Sequence, residues 1–467
     1  LSARRQAASR RFRDGVGFTE GSVARHLIRL TGYQTMGFLA RNVARLAEAA
    51  FVGLLGTAEL AAIAFNFPMV MALGAASRGL GIGATSVVAR AMGGGDHDRS
   101  AVLVSHCMWL TLAFTLICVG AGIPYAAELF TLLGAREDVR PFAIDYFRIW
   151  MIGLPLFALS MVATSLLRAT GDAKTPGYLQ TFSAIVQIAL TPWLVFGWLG
   201  VPALGVMGAA LAHVIAQSVS YFLALYVLVA RDHLLVMSLR GILGSWREIL
   251  HVGLPAAATN LIGPASNGII TRLLADYGPA VVAAFGVATR VDSIVTMVLI
   301  SLGGATAPFI GQNWGAALYD RVRTALRLSY RFCLAWGAFA GVLMAVIGGP
   351  LVALVNDDPE VVEAAAVFFL IVPFSIGFMG MNNVATSSFN ALGKPIPPLV
   401  LSINRMLVIY VPMAMLGSYL FGYAGIFAAT ALANLLNGVV AAFWNRVAVN
   451  RAIARMQGHD TSSMARA

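Results

Sequence analysis

The chain has 467 residues, of which 59% are hydrophobic and only 11% charged, with a mean hydropathy of +0.79. Soluble domains carry about a quarter charged residues, so a soluble enzyme, a disordered chain and a collagen-like fibre are excluded and a polytopic membrane protein is indicated. The net charge of +11 would point to nucleic acid in a soluble chain; here its meaning depends on where along the chain the charges fall.

The opening segment is basic (Arg4, Arg5, Arg10, Arg11, Arg13) but leads into no apolar h-region with a cleavage site, so it does not read as a signal peptide. Apolar stretches long enough to cross a bilayer, about 20 residues each, then follow at 26–54, 60–91, 101–130, 141–167, 176–198, 205–230, 248–275, 279–311, 325–355, 361–391, 397–420 and 424–447. The runs are continuous rather than alternating, which argues for helices over a β-barrel. Cys107, Cys118 and Cys333 sit inside apolar runs with no CxxC partner or His at metal spacing and read as small packing residues.

Basic residues separate the connections. Arg25, Arg90, Arg99, Arg168, Lys174, Arg231, Arg240, Arg247, Arg321, Arg323, Arg327, Arg331, Lys394, Arg446, Arg451, Arg455 and Arg466 fall on the side of the N-terminus. The opposite connections hold Arg136, Arg140 and an acidic cluster, Asp357, Asp358, Glu360 and Glu363. By the positive-inside rule both termini are cytoplasmic. The charge is therefore mainly a topology signal, and no nucleic-acid partner is expected.

The two halves repeat at an offset of 222 residues: Gly81 matches Gly303, Asp98-Arg99 matches Asp320-Arg321, Val162-Ala163-Thr164-Ser165 recurs as Val384-Ala385-Thr386-Ser387, and Gly171 and Pro176 match Gly393 and Pro398. Six helices per copy is even, so both copies enter from the same side and form a parallel repeat about an axis along the membrane normal. The expected architecture is all-α and integral to the membrane: twelve helices in two six-helix lobes with a cleft between them. Its parts are a basic N-terminus (1–25), an N-lobe (26–230), a cytoplasmic linker (231–247), a C-lobe (248–447) and a C-terminal tail (448–467).

Ordered motifs now resemble one family. They are Phe51-Val52-Gly53-Leu54-Leu55-Gly56 followed by Glu59-Leu60-Ala61-Ala62; Leu167-Arg168-Ala169-Thr170-Gly171-Asp172-Ala173-Lys174-Thr175-Pro176; Phe196-Gly197-Trp198-Leu199-Gly200-Val201-Pro202 leading to Gly205-Val206-Met207-Gly208; and Gly311-Gln312-Asn313-Trp314-Gly315-Ala316. In order and with twelve helices, they look like the multidrug and toxic compound extrusion (MATE) family of the multidrug, oligosaccharidyl-lipid and polysaccharide (MOP) superfamily. The resemblance implies an exporter of organic, often cationic, compounds in exchange for Na⁺ or H⁺ in the bacterial cytoplasmic membrane. It implies small organic molecules and membrane lipids as partners, no bound cofactor or metal, no enzymatic activity, and a monomer.

An ionisable group in a membrane helix is costly and is a functional candidate by default. Glu48 lies about 12 Å before Gly56 along helix 1, where the family usually has an Asp. It is either the coupling carboxylate or half of a structural ion pair. The family's Asn-x-x-x-Asp on helix 5 is replaced here by Gln187 and Thr191 before Pro192, and its Thr on helix 6 by His213. Thr191 and His213 are expected at the depth of Glu48. A Glu–His pair holds and releases protons near neutral pH, so H⁺ is favoured over Na⁺, although a lone helix histidine also serves as a packing residue. Gly32 replaces an expected Pro, which leaves a Pro-driven bend of helix 1 without its cause. Asp292 is the deep acid of the second half, offered either for coupling or for pairing with an arginine of another helix.

Arg41, Arg45, Arg78, Arg290 and Arg405 lie deep in predicted spans, whereas Arg29, Arg148 and Arg272 are close enough to helix ends to snorkel. Arg41, Arg45 and Glu48 share a face of helix 1 by spacing. Arg45 then either pairs with Glu48 or helps to make a cleft that favours anionic and zwitterionic substrates. Asn66, Asn267, Asn382 and Asn383 are further candidate cleft residues, set against the commoner use of amides to bridge helices. No Walker A, HExxH or GxSxG motif is present. A flippase for a lipid-linked saccharide is the competing function, kept open by the buried arginines.

Overall fold

The computed structural model describes residues 17–197, 200, 202–354 and 356–464. Arg4, Arg5, Arg10, Arg11, Arg13, Trp198, Leu199, Val201 and Arg466 lie outside the described residues. Within them the regular structure is helical throughout, as lipid demands of a chain that must satisfy its own backbone. The spans are α1 (Val23–Gly53), α2 (Thr57–Gly93), α3 (His97–Gly122), α4 (Arg140–Ala169), α5 (Thr175–Phe196), α6 (Val206–Arg231), α7 (Ile242–Ala275), α8 (Pro279–Gly315), α9 (Tyr319–Ala353), α10 (Pro359–Ala391), α11 (396–421) and α12 (423–464).

Length and apolarity alone single out nine stretches among the described residues. The last of these, Ile396–Gln457, makes two passes because Gly422 turns it at φ +62°. The remaining two passes, α1 and α7, are less apolar: Arg29, Arg41, Arg45 and Glu48 interrupt one, and uncharged polar residues such as His251, Asn260, Ser266 and Asn267 dilute the other. Several spans end differently from the hydropathy reading. Helix α3 stops at Gly122 ahead of Pro124, and a separate short helix, Ala126–Leu132, completes the stretch expected to run to 130. Pro373 breaks α10 into a 3₁₀ turn before it resumes at Ile376. A π-turn at Asn404–Tyr410 interrupts α11. Helix α1 passes through Gly32 without a break.

The described chain divides into two compact units, one made of 17–20 and 32–258, the other of 21–31 and 259–464. In the first, Val88, Val104, Val162, Leu166 and Leu167 form one core, and Val52, Phe130, Phe147, Trp150 and Met151 a second. Helices α2 and α7 cross at backbone contact: a side chain at Gly79 would meet the Gly253 carbonyl at 2.5 Å and the Ala257 Cβ at 2.6 Å. Gly79 and Gly83 thus act as small residues one turn apart that admit a neighbouring backbone. In the second unit Phe285, Phe368 and Phe427 pack ring against ring, and Leu299, Ile310, Cys333 and Val384 form a further core. Large apolar side chains such as Ile28, Leu54, Ile117, Val346 and Phe443 point outward, as a surface solvated by lipid tails requires.

The connection from α6 to α7 is strapped down. His106 of α3 bonds Ser245 Oγ through Nδ1 at 2.8 Å and the Ser238 carbonyl through Nε2 at 2.9 Å. Trp246 Nε1 donates to the His106 carbonyl, Val236 N to Ser105 Oγ, and Arg99 pairs with Glu248 at 3.4 Å.

The duplication reappears in hydrogen bonds. After α4, Gly171 N and Asp172 N cap the carbonyls of Arg168 and Leu167; after α10, Gly393 N and Lys394 N cap those of Asn390 and Phe389. After α2, Asp96 N reaches the Ala91 carbonyl; after α8, Leu318 N reaches that of Asn313. The left-handed residue of this second turn is Gly95 (φ +77°) in the first copy and Ala317 (φ +57°) in the second. An L-residue there costs about 1–2 kcal/mol, partly recovered because glycine loses more chain entropy on folding. Ala317→Gly is therefore expected to stabilise the protein by about 0.5–1 kcal/mol, read as a higher thermal midpoint in detergent; an unchanged or lower midpoint would show that the turn carries no strain.

In the loop between α4 and α5, Asp172 accepts from Lys174 N and Thr175 N and pairs with Arg231 at 2.6 Å, while Arg231 also holds Asp232 at 2.7 Å. Burial opposes the Asp172 charge, but the Thr175 hydroxyl and N–H, then the Arg231 guanidinium, outweigh it and hold the carboxyl below its ordinary value of 3.8. A lowered folded pKa contributes stability that is complete above the unfolded value and disappears as pH falls through the folded one. The half-exposed Arg231 limits this to on the order of 1 kcal/mol. Arg231→Gln is expected to lower the midpoint at pH 7 and to converge with the parent protein below about pH 3; a constant gap between them at all pH values would rule the ion pair out as the cause.

Candidate functional site

Glu48 occupies the inward-turned side of α1 and is 8% exposed. Its Oε1 accepts from the Tyr146 hydroxyl of α4 at 3.0 Å, and its Oε2 from Gln187 Nε2 of α5 at 2.9 Å. The other end of the same amide, Gln187 Oε1, meets His213 Nδ1 of α6 at 3.4 Å. His213 packs its ring 5.9 Å from that of Phe157, and its Nε2 is buried without a partner. Four helices of the first unit thus converge on a line, Tyr146–Glu48–Gln187–His213.

Two expectations are corrected. Among the described residues no ion pair within 4.0 Å joins Arg45 to Glu48. Three residues along a helix leave about 60° between two side chains, and here Glu48 turns into the unit while Arg45 stays exposed. Nor do Glu48 and His213 bond directly; Gln187 stands between them. Thr191 is buried at the site but donates its hydroxyl to the Gln187 carbonyl one turn earlier. Tyr146 was missed by sequence reasoning. Its only signal was a phenol inside a predicted span, where a hydroxyl needs a partner.

The carboxylate is held by neutral donors, and among the described residues no cation lies within ion-pair distance of it. A carboxylate carrying a net charge in hydrocarbon is costly, and binding a proton or a cation discharges it. Among the described residues no group of three His, Cys, Asp or Glu is placed to hold a metal.

The other candidates divide between the units. In the first, Asn66 is buried and spends its amide on the carbonyls of Ala62 and Ala143, joining α2 to α4. Arg41 is half-buried over the Phe38 ring at 4.7 Å, and Arg78 is half-buried nearby on α2. In the second unit Asp292 Oδ2 accepts from the Thr296 hydroxyl at 3.1 Å, and its Oδ1 is buried without a partner. The arginine partner weighed for Asp292 does not appear among the described residues within ion-pair distance. Arg290 and Asn267 are exposed. Arg405, in the π-turn, donates to Asn434 Oδ1, whose amide continues to Ser375; Asn437 donates to Asn382 Oδ1. These amides bridge α10, α11 and α12. Asn383 lies against Gly303 of α8.

Comparison with known proteins identifies the family. The MatE family model matches the chain twice, over residues 35–193 and 255–416, once in each half. A protein of Shewanella oneidensis named FAD transporter is 32% identical over 430 residues, covering 91% of this chain and 95% of its own length. Probable multidrug resistance protein YoeA of Bacillus subtilis is 27% identical over 414 residues, covering 85% and 89%. The crystal structure of a mutant of the Vibrio cholerae MATE transporter VcmN superposes with a TM-score of 0.88 at 27% identity, over 92% of this chain and 98% of that one. With two family matches, a relative aligned nearly end to end and a shared twelve-helix fold, the chain belongs to the MatE family of multi-pass membrane transporters.

Proposed function

We propose that this protein is a secondary active exporter that moves organic compounds outward across a bacterial cytoplasmic membrane by alternating access, driven by H⁺ entry, with Glu48 as the coupling carboxylate. The observation that carries the reading is the Glu48 line. A single carboxylate, buried and with no ion-pair partner among the described residues, sits beside two groups, Gln187 and His213, that can reverse their hydrogen-bond polarity. When Glu48 takes a proton on Oε2, the Tyr146 hydroxyl goes on donating to Oε1. The Gln187 amide can turn over so that its oxygen accepts from the carboxyl and its nitrogen donates to His213 Nδ1. His213 then carries its own proton on Nε2, the atom now without a partner. Na⁺ fits less well, because both carboxylate oxygens are met by donor hydrogens where a cation needs oxygen ligands. The arginine-rich face is taken as cytoplasmic.

Relatives named for multidrug resistance support a broad organic substrate range. A second observation narrows it. The relative named FAD transporter aligns over 91% of the chain, and the first unit carries more guanidinium than carboxylate in its spans. A substrate with negative charge accords with both. This reading stands ahead of a lipid-linked saccharide flippase, which no relative named above supports.

Vesicles reconstituted with the protein test both levels. An imposed pH gradient is expected to drive efflux of FAD, and a Na⁺ gradient alone is not. Glu48→Gln is expected to abolish gradient-driven transport; full transport by that variant would remove Glu48 from the mechanism. Vigorous export of a cationic dye that FAD does not compete with would overturn the anionic preference while leaving the exporter in place.

A further inference from the structure

About two turns from the Glu48 line, roughly 10 Å along α1 and α5, the first unit has a second polar level of opposite character. A small polar recess, open at its mouth, is lined by Arg41, Ser160, Thr164, Gln180, Gln217 and Ser220. Ser160 donates to Ser220 Oγ at 2.9 Å, which leaves the Ser220 hydroxyl hydrogen free to donate. Gln180 keeps its Oε1 buried without a partner. Gly37 makes room beside it, since a side chain there would meet the Gln180 amide oxygen at 2.5 Å.

The electrostatics of the recess are one-sided. The charges that act on Arg41 are those of Arg45, Arg168 and Arg78, every one a guanidinium. Among the described residues none of these four arginines has a carboxylate within 4.0 Å. Arg168 donates to Ser165 Oγ and Arg41 stacks on Phe38, both neutral partners. Structural arginines in lipid are paired with acids or carbonyls, because a lone charge is costly there. Four that repel one another around a recess of hydroxyls and amides are stabilised when an anion enters. Guanidinium is the group suited to a tetrahedral oxyanion, which it meets with two parallel N–H bonds.

We infer that this recess is an oxyanion subsite that takes the phosphoryl group of a phosphorylated organic molecule, with Arg41 as its primary ligand, Ser220 and the amides of Gln180 and Gln217 as donors, and Arg45, Arg78 and Arg168 supplying the attractive field. The inference deepens the anionic reading above and rests on it for the route of transport, but not for binding. The recess lies near the arginine-rich end of the unit, since Gln180 is only five residues into α5 and Arg168 is one residue from the end of α4. The anionic end of a substrate would engage there, and the organic remainder would extend past Phe157, which lines the recess and also touches the His213 ring.

The test is equilibrium binding without any ion gradient, using the whole protein in nanodiscs and the matched fluorescent pair 1-naphthyl phosphate and 1-naphthol. The phosphate is expected to bind about tenfold tighter or better than the alcohol. Arg41→Gln is expected to erase that ratio and leave naphthol binding unchanged, and Arg41→Lys to restore part of it. Ser220→Ala, a milder change, is expected to reduce the ratio severalfold and guards against a misfolded Arg41 variant. Equal binding of the two probes by the parent protein, or a ratio untouched in both variants, overturns the subsite. Nanodiscs of phosphatidylcholine and of phosphatidylglycerol separate the sources of the phosphate: competition by the anionic lipid supports a headgroup as occupant, and indifference to it supports a soluble ester. Gradient-driven efflux with no phosphate preference leaves the exporter standing without this site. A phosphate preference with no driven efflux leaves the site and removes the exporter.

Discussion

The cost of an uncompensated charge in hydrocarbon orders this molecule. It sends most of the basic residues to one side of the spans and leaves the other side with two arginines and an acidic cluster. It also marks α1, whose Arg41, Arg45 and Glu48 make it a poor span by composition. The few charges that stay deep are then conspicuous. In the first unit they sort by sign along the helix axes, with the carboxylate toward one end and the guanidiniums toward the other.

That sorting gives one unit two chemically distinct levels on the same helices. Helix α1 supplies Glu48 to one and Arg41 to the other, and α5 supplies Gln187 and Gln180. The seven-residue spacing in both cases keeps the paired side chains on one face, two turns apart. Arg45 stands between them in sequence, on the exposed side of α1.

Much of this was legible in the sequence, for physical reasons. Hydropathy located the spans because lipid permits only self-satisfied helices, and the 222-residue offset foretold capping bonds that repeat atom for atom after α4 and α10. Glu48, Gln187 and His213 were singled out, and the structure brings them to one line. Their order within it was not legible, because helical spacing fixes the face of a residue but not its partner on a neighbouring helix. Hence Gln187 between Glu48 and His213, and Tyr146 as the second ligand, came only from the packing of α4 and α5 against α1. Of the two uses weighed for the amides, Asn66 and Asn382 take the bridging one and act as struts between helices. Breaks at Pro373 and at Asn404–Tyr410 are averaged away by a hydropathy window and so cannot be seen in it.

The strap over α3 alters where the two halves of the gene product actually part. The loop from α6 to α7 looks like a tether, yet His106, Ser105 and Arg99 bind it and the start of α7 to the first unit. The division instead falls at residue 258, inside α7 and one turn beyond Pro255, whose ring removes a backbone N–H from the helical ladder. The chain thus changes allegiance in mid-helix. Helix α1 divides in the same way, between residues 31 and 32. The halves are therefore not interchangeable modules: severing the loop would leave the first copy's surface without residues 242–258, which complete it.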